Sequence, residues 1–150
     1  MNWWRRRVVA PITALLRKGI EPRSLALALA LGCGVGVFPV LGVSTLALTG
    51  LALWLRLNLP AIQLVNYLVA PFQLLLIIPF LRAGESLLGR PHLPMTIDQG
   101  LAIMRKGLWQ AVEVLSGAIV HAALAWCVIM PVVIWLLYRI FALWLNKISR

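Results

Sequence analysis

The residues that could carry acid–base chemistry are few. Glu21, Glu85, Asp98 and Glu113 are the only carboxylates in 150 residues, and each borders a charged or interfacial segment. No carboxylate pair, Ser-His-Asp set or Cys-His pair recurs at a spacing that catalysis needs. The glycines from Gly32 to Gly36 lack both the lysine and the preceding strand of a phosphate-cradling loop. Cys33 and Cys127 lie in apolar segments, where a cysteine acts as a small buried hydrophobe, and no disulfide is expected. His92 sits in the loop "GRPHLP" and His121 in an apolar stretch, neither beside a second ligand at metal-binding spacing. These patterns argue against an enzyme and imply no metal and no cofactor.

What remains is binding chemistry at helix breaks. The stretch "GVFPVLGVSTLALTGLALWLRLNLP", Gly36 to Pro60, sets a Pro-Gly elbow inside an apolar run, with no charge between Arg23 and Arg56. A helix that starts at membrane depth presents unpaired N–H groups to an anion. Pro39 would end one half-helix and Gly42 would open the next, with Ser44 and Thr45 in its first turn. A second such end is expected at Pro71 with Gln73, and Asn66 would line the same cavity. Arg56, Arg82 and Glu85 would form its rim, Arg82 and Glu85 as an interfacial ion pair. The competing expectation is that Ser44 and Thr45 cap their own helix while Asn66 and Gln73 bond neighbouring helices. The lack of intramembrane charge counts against proton coupling.

The elements that would position these residues belong to a membrane. Hydrophobic residues make up 62% of the chain and charged residues 12%, with a mean hydropathy of +0.94; soluble domains carry about 25% charged residues. The net charge of +10 comes from short basic clusters at the edges of apolar segments. That pattern suits cationic anchors on anionic headgroups and does not suit nucleic-acid binding.

Residues 1–20 predict a basic amphipathic helix, with Trp4, Val8, Ile12 and Leu15 on one side and Arg6, Arg7, Arg17 and Lys18 on the other, lying in the bilayer interface. No small-x-small cleavage site follows, so retention is expected. Ser24 to Phe38 as a helix rises only about 22 Å, short of the roughly 30 Å hydrocarbon core. The next helix is equally short, whereas a single span from Ser24 to Leu55 would run to about 48 Å. Residues 22–58 therefore predict a re-entrant hairpin, tolerated only where protein or a wet cavity covers the break. Ala28, Gly32 and Gly36 form a small-residue face for close helix approach. Residues 60–90 contain Pro71 and Pro79 and read as one kinked span or a second broken hairpin; the positive-inside bias favours the hairpin. "TIDQ" at Thr96 to Gln99 has capping-box form and opens an amphipathic helix over 96–117. Residues 118–145 predict a transmembrane helix kinked at Pro131, with Trp135, Tyr138 and Trp144 as an aromatic belt. A full span would leave Arg139, Lys147 and Arg150 outside, and a third return hairpin would avoid that conflict. The fold class expected is an all-α integral membrane protein built from short discontinuous helices.

From Gly36 to Arg82 the order of motifs resembles the bacterial and archaeal membrane family catalogued as domain of unknown function 2062. That family looks like a Gly-rich helix, a Phe/Leu-Pro-x-x-Gly elbow, a Thr-bearing helix ending in Arg-x-Asn-x-Pro, and a second Pro-containing break. The matching residues are Gly32, Gly36, Pro39, Gly42, Thr45, Asn58, Pro60, Pro71 and Pro79. Where many members have Asn-Pro and Gln-Thr, this chain has Ala70-Pro71 and Ser44-Thr45. The resemblance covers about residues 10–90. Fusion of some members to glycosyltransferases implies lipid-linked sugar or envelope metabolism.

Two functions are compatible with these features. One is a scaffold or accessory subunit in the prokaryotic inner membrane, N-terminus cytoplasmic, covered by self-association or by another membrane protein. The other is a transporter or flippase for a small or lipid-linked anion held at the half-helix N-termini.

Overall fold

The computed structural model describes residues 9–40, 42–89 and 105–149, with the single positions 6, 91, 96, 98, 99 and 102. Among the described residues the chain is helical and contains no strand. The helices with described bounds are, in order, α1 (Ala10–Arg17), α2 (Pro22–Gly36), α3 (Val43–Trp54), α4 (Leu59–Leu87) and α5 (Leu108–Ile148). Of the expected N-terminal helix, Trp4, Arg7 and Val8 lie outside the described residues. Ile12 and Leu15 of α1 pack on a cluster of Leu25, Ala26, Leu29, Ala61 and Leu145.

Helices α2 and α3 are the two short pieces expected on either side of the elbow. Gly42 caps α3 at φ 84°, a left-handed backbone that glycine adopts without a Cβ penalty. The return from α3 into α4 is tighter. The Leu57 N–H donates to the Ala52 carbonyl at 2.8 Å, the long bond of a Schellman cap, with Arg56 at φ 53° in the left-handed position. That position is normally glycine, so Arg56→Gly is expected to raise stability by about 1 kcal/mol, read by thermal unfolding in detergent micelles. Asn58 then caps α4 by accepting from the Ala61 N–H at 2.8 Å, with Pro60 in the first turn. The Arg-x-Asn-x-Pro motif is thus a helix stop followed by a helix start.

The second broken hairpin expected over 60–90 does not form. α4 runs unbroken for 29 residues with Pro71 and Pro79 inside it. A proline removes one helical hydrogen bond, whereas a turn would orphan up to four N–H and four C=O groups. In apolar surroundings the smaller loss wins. Nor is there a boundary at residue 117: α5 is one helix of 41 residues through Gly117 and Pro131. For the helix expected from Thr96, the Thr96 N–H donates to Gln99 Oε1 at 3.2 Å, half of the capping box.

Among the described residues two segments are long and apolar enough to cross a membrane, Leu59–Leu87 and Ser116–Ile148. α2 lies against α3, α4 and α5. Its small-residue face meets the chain's own α4: a methyl on Gly32 would fall 2.9 Å from Val65 Cβ, and one on Gly36 would fall 2.6 Å from Val69 Cγ2. Ala28, Leu48 and Ile62 continue this contact among α2, α3 and α4. α5 runs antiparallel to α4. Gly84 touches the His121 backbone at one end, and Ala61 clusters with Leu145 at the other. Of the expected aromatic belt, Trp135 is exposed with the Arg139 guanidinium 5.8 Å over its ring, while Tyr138 and Trp144 pack inward.

Candidate functional site

Helix α4 carries Gln63, Asn66 and Gln73 at spacings of three and seven, which places them on one face. That face is turned to the α2–α3 hairpin. Asn66 Nδ2 donates to Thr45 Oγ1 at 3.0 Å and to Gln63 Oε1 at 3.2 Å. Gln63 Nε2 donates to the Thr45 carbonyl at 3.1 Å and to Thr49 Oγ1 at 2.9 Å, and Thr49 Oγ1 donates to the Thr45 carbonyl at 2.8 Å. Three of these five hydrogen bonds join α4 to the first turns of α3, and the other two brace the partners within each helix.

The elbow is held one helical turn and more beyond. Gln73 Nε2 donates to the Phe38 carbonyl at 2.6 Å and lies 3.4 Å from the Val40 carbonyl. Those carbonyls flank buried Pro39, which has no N–H to offer a partner. The end of α2 leaves a further orphan, because the Phe38 N–H tightens back onto the Val35 carbonyl. Trp126 Nε1 on α5 donates to the Gly34 carbonyl at 3.0 Å, and its ring meets Phe38 edge-on with centroids 4.9 Å apart. The break in the apolar run therefore has its acceptors covered by side chains of α4 and α5.

The expected site residues fall into separate places. Thr45 and Asn66 are in contact, and Gln73 lies by Pro39. Ser44 is buried in the first turn of α3 without capping it, while Gly42 is exposed. Pro71 is exposed inside α4 and opens no second half-helix, so only one of the two expected helix N-termini exists. The rim residues do not share a rim. Arg56 lies between α3 and α4, whereas Arg82 and Glu85 are near the other end of α4, with Arg82 Nη1 3.6 Å from Glu85 Oε2. Glu85 is buried beside the Gly84–His121 crossing, and Arg82 is half exposed.

Three participants were not expected from the sequence: Thr49, Gln63 and Trp126. Spacing offered a signal for two of them, since Thr49 lies four residues after Thr45 and Gln63 three before Asn66. Trp126 had no such signal, because its partner Gly34 is 92 residues away.

Chemically, the cluster is neutral, and the amide donors of Gln63, Asn66 and Gln73 are spent. Among the described residues no buried side-chain nitrogen or oxygen is left without a partner. Asn66 holds the Thr45 hydroxyl oxygen, so an anion that used this hydroxyl would compete with it, whereas the helix start itself has no side-chain cap. The geometry joins helices and closes the elbow.

No curated protein and no solved structure matches this chain. A family model described as "Uncharacterized protein conserved in bacteria (DUF2062)" matches residues 5–149, well past the stretch of motif resemblance. The chain, with its glycine-lined α2, covered elbow and Asn-capped α4, belongs to that family.

Proposed function

We propose that the protein is a non-catalytic scaffold or accessory subunit of the prokaryotic cytoplasmic membrane, acting in envelope or lipid metabolism. The observation that carries this reading is the pairing of the polar residues: Thr45, Asn66 and Gln73 are occupied in holding α3 and the elbow to α4. Membrane insertion is supported by exposure. The most apolar windows of the two long segments are only 22% and 17% buried, far less than core helices of a soluble protein would be. Leu46, Trp54, Tyr67 and Leu75 add to a broad apolar flank suited to lipid or to a second membrane protein, this chain included.

In this reading α4 and α5 span the bilayer, and the α2–α3 hairpin enters and leaves on one side. Both termini then share a side, because α1 packs against the last turns of α5. Arg17, Lys18, Arg23, Arg56 and Lys147 gather there with Glu21, while Arg105 and Lys106 at the other end have Asp98 and Glu113 for company. Positive-inside bias puts the termini in the cytoplasm. A turn at Pro71 would have kept Arg82, Arg105 and Lys106 on that same side, but α4 continues through Pro71. Single-cysteine labelling in intact cells should reach Gly89→Cys from outside and not Ser149→Cys; the reverse pattern would sink this orientation.

The functional reading is tested by reconstitution. Liposomes containing the protein should move fluorescent phospholipid or polyprenyl-phosphate analogues no faster than empty ones. Transfer that is abolished by Asn66→Leu in folded protein would overturn the scaffold reading in favour of transport.

A further inference from the structure

At the end that holds both termini, a cleft of about 310 Å³ opens between α1 and the end of α5, lined by Thr13, Arg17, Ile148 and Ser149. Its walls are held together from below, where Ile12 and Leu15 of α1 share one apolar cluster with Ala142, Trp144 and Leu145 of α5. The size is at the low end of small-molecule sites, which run from about 300 Å³ upward.

Charge distinguishes this cleft from a packing gap. Arg17 is exposed, and among the described residues it has no ion pair or hydrogen bond. Lys18 and Arg23 are near it in the chain, Lys147 sits beside Ile148, and Glu21 is the one nearby carboxylate in the sequence. Two helix C-termini meet here, each with about half a negative charge. Arg17, Lys18 and Lys147 outweigh them, so the site favours an anion.

The hydroxyls add a second chemistry. Thr13 Oγ1 donates to the Ala10 carbonyl at 2.9 Å, and Ser149 Oγ donates to the Asn146 carbonyl at 3.2 Å. With their protons turned back into their own helices, both oxygens retain lone pairs that can accept. Arg17 therefore supplies donors for a phosphate, while Thr13 and Ser149 supply acceptors for hydroxyl groups attached to it. Ile148 offers an apolar wall.

We propose that this cleft binds the headgroup of an anionic phospholipid that carries hydroxyls, a phosphoglycerol group being the simplest. Arg17 pairs with the phosphodiester, and Thr13 and Ser149 accept from the glycerol. The inference rests on this end of the bundle meeting the membrane surface.

The test titrates full-length protein in neutral detergent with short-chain phosphatidylglycerol, short-chain phosphatidylcholine or inorganic phosphate, and follows thermal unfolding. Phosphatidylglycerol should raise Tm saturably and phosphatidylcholine should not. Arg17→Gln should weaken the apparent affinity about tenfold, the loss of a charge-assisted hydrogen bond. Arg23→Gln, outside the cleft, should change it by less than about twofold at 0.15 M salt, where screening acts over about 8 Å. Equal losses in the two variants would overturn the site, as would an equal response to phosphatidylcholine. Saturation by inorganic phosphate with the same Arg17 dependence would overturn the lipid assignment. Failure of the membrane reading would appear separately, as protein that leaves the membrane fraction in an alkaline wash.

Discussion

Replacing Gly84 by alanine is expected to destabilise the protein by about 3 kcal/mol or more, at the upper end of overpacking effects. α4 and α5 cross with the Gly84 Cα directly against the backbone of His121, and a methyl there would lie inside the contact radius of the His121 carbonyl. A side chain could rotate away, as Ile134 could if Gly34 gained a methyl, but a helical carbonyl cannot. Relief would require the two long helices to part, opening the cluster of Phe80, Leu81, Ala118 and Ala122 beside the crossing. The buried Glu85 is the next residue and would be uncovered with it. Gly50 on α3 is the control, since an added methyl there meets nothing. Gly50→Ala should be neutral or stabilise by up to about 1 kcal/mol through helix propensity. Thermal unfolding in micelles compares the two. If Gly84→Ala melts with the unsubstituted protein, the close crossing is wrong.

Gln73→Leu should be the second most damaging change. The substitution keeps the volume and removes the donor, leaving the Phe38 carbonyl, and its neighbour at Val40, without the side chain that covers them. The Phe38 carbonyl keeps only the Val40 N–H at 2.8 Å, and the Val40 carbonyl loses its side-chain donor; a buried acceptor left unpaired costs about 1–3 kcal/mol. The effect should also be local. A cysteine at Val40 should react faster with a membrane-permeant thiol reagent in the Gln73→Leu background, because the elbow is no longer tied to α4. Unchanged stability together with unchanged reactivity would remove Gln73 from the elbow.

How the elbow is covered changes the case for a partner. The sequence suggests a chain too small to cover its own broken backbone, so that self-association or another membrane protein would supply the cover. Within the fold, Gln73 and Trp126 supply donors to the elbow and the end of α2, and α4 occupies the small-residue face of Gly32 and Gly36. Any association of copies is therefore left to the exposed apolar flanks, such as Leu46 and Trp54 on α3, Tyr67 and Leu75 on α4, and Val128, Val132 and Leu143 on α5.

The sequence by itself determined the features that depend on neighbours in the chain. Helix length against bilayer thickness separated α2 from α3, the Phe-Pro-Val-Leu-Gly stretch located the elbow, and the order of Pro, Gly and Asn residues pointed to the family. Local physics was enough there, because a proline or a left-handed glycine acts within one turn. The tertiary structure decided what those breaks mean. Pro39 and Pro71 look alike in sequence, yet one ends a helix and the other sits inside one. The difference lies in what surrounds the freed backbone: donors from α4 and α5 wait at Pro39, and Pro71 is on an exposed face of a helix that loses less by continuing. The same holds for the polar residues. Thr45, Asn66 and Gln73 were recognisable as a buried polar set, but only the packing of α4 on the hairpin shows that they pair with one another, with Gln63 and Thr49, and with the elbow. A hydrogen bond has two ends, and a sequence displays them without saying which ends meet.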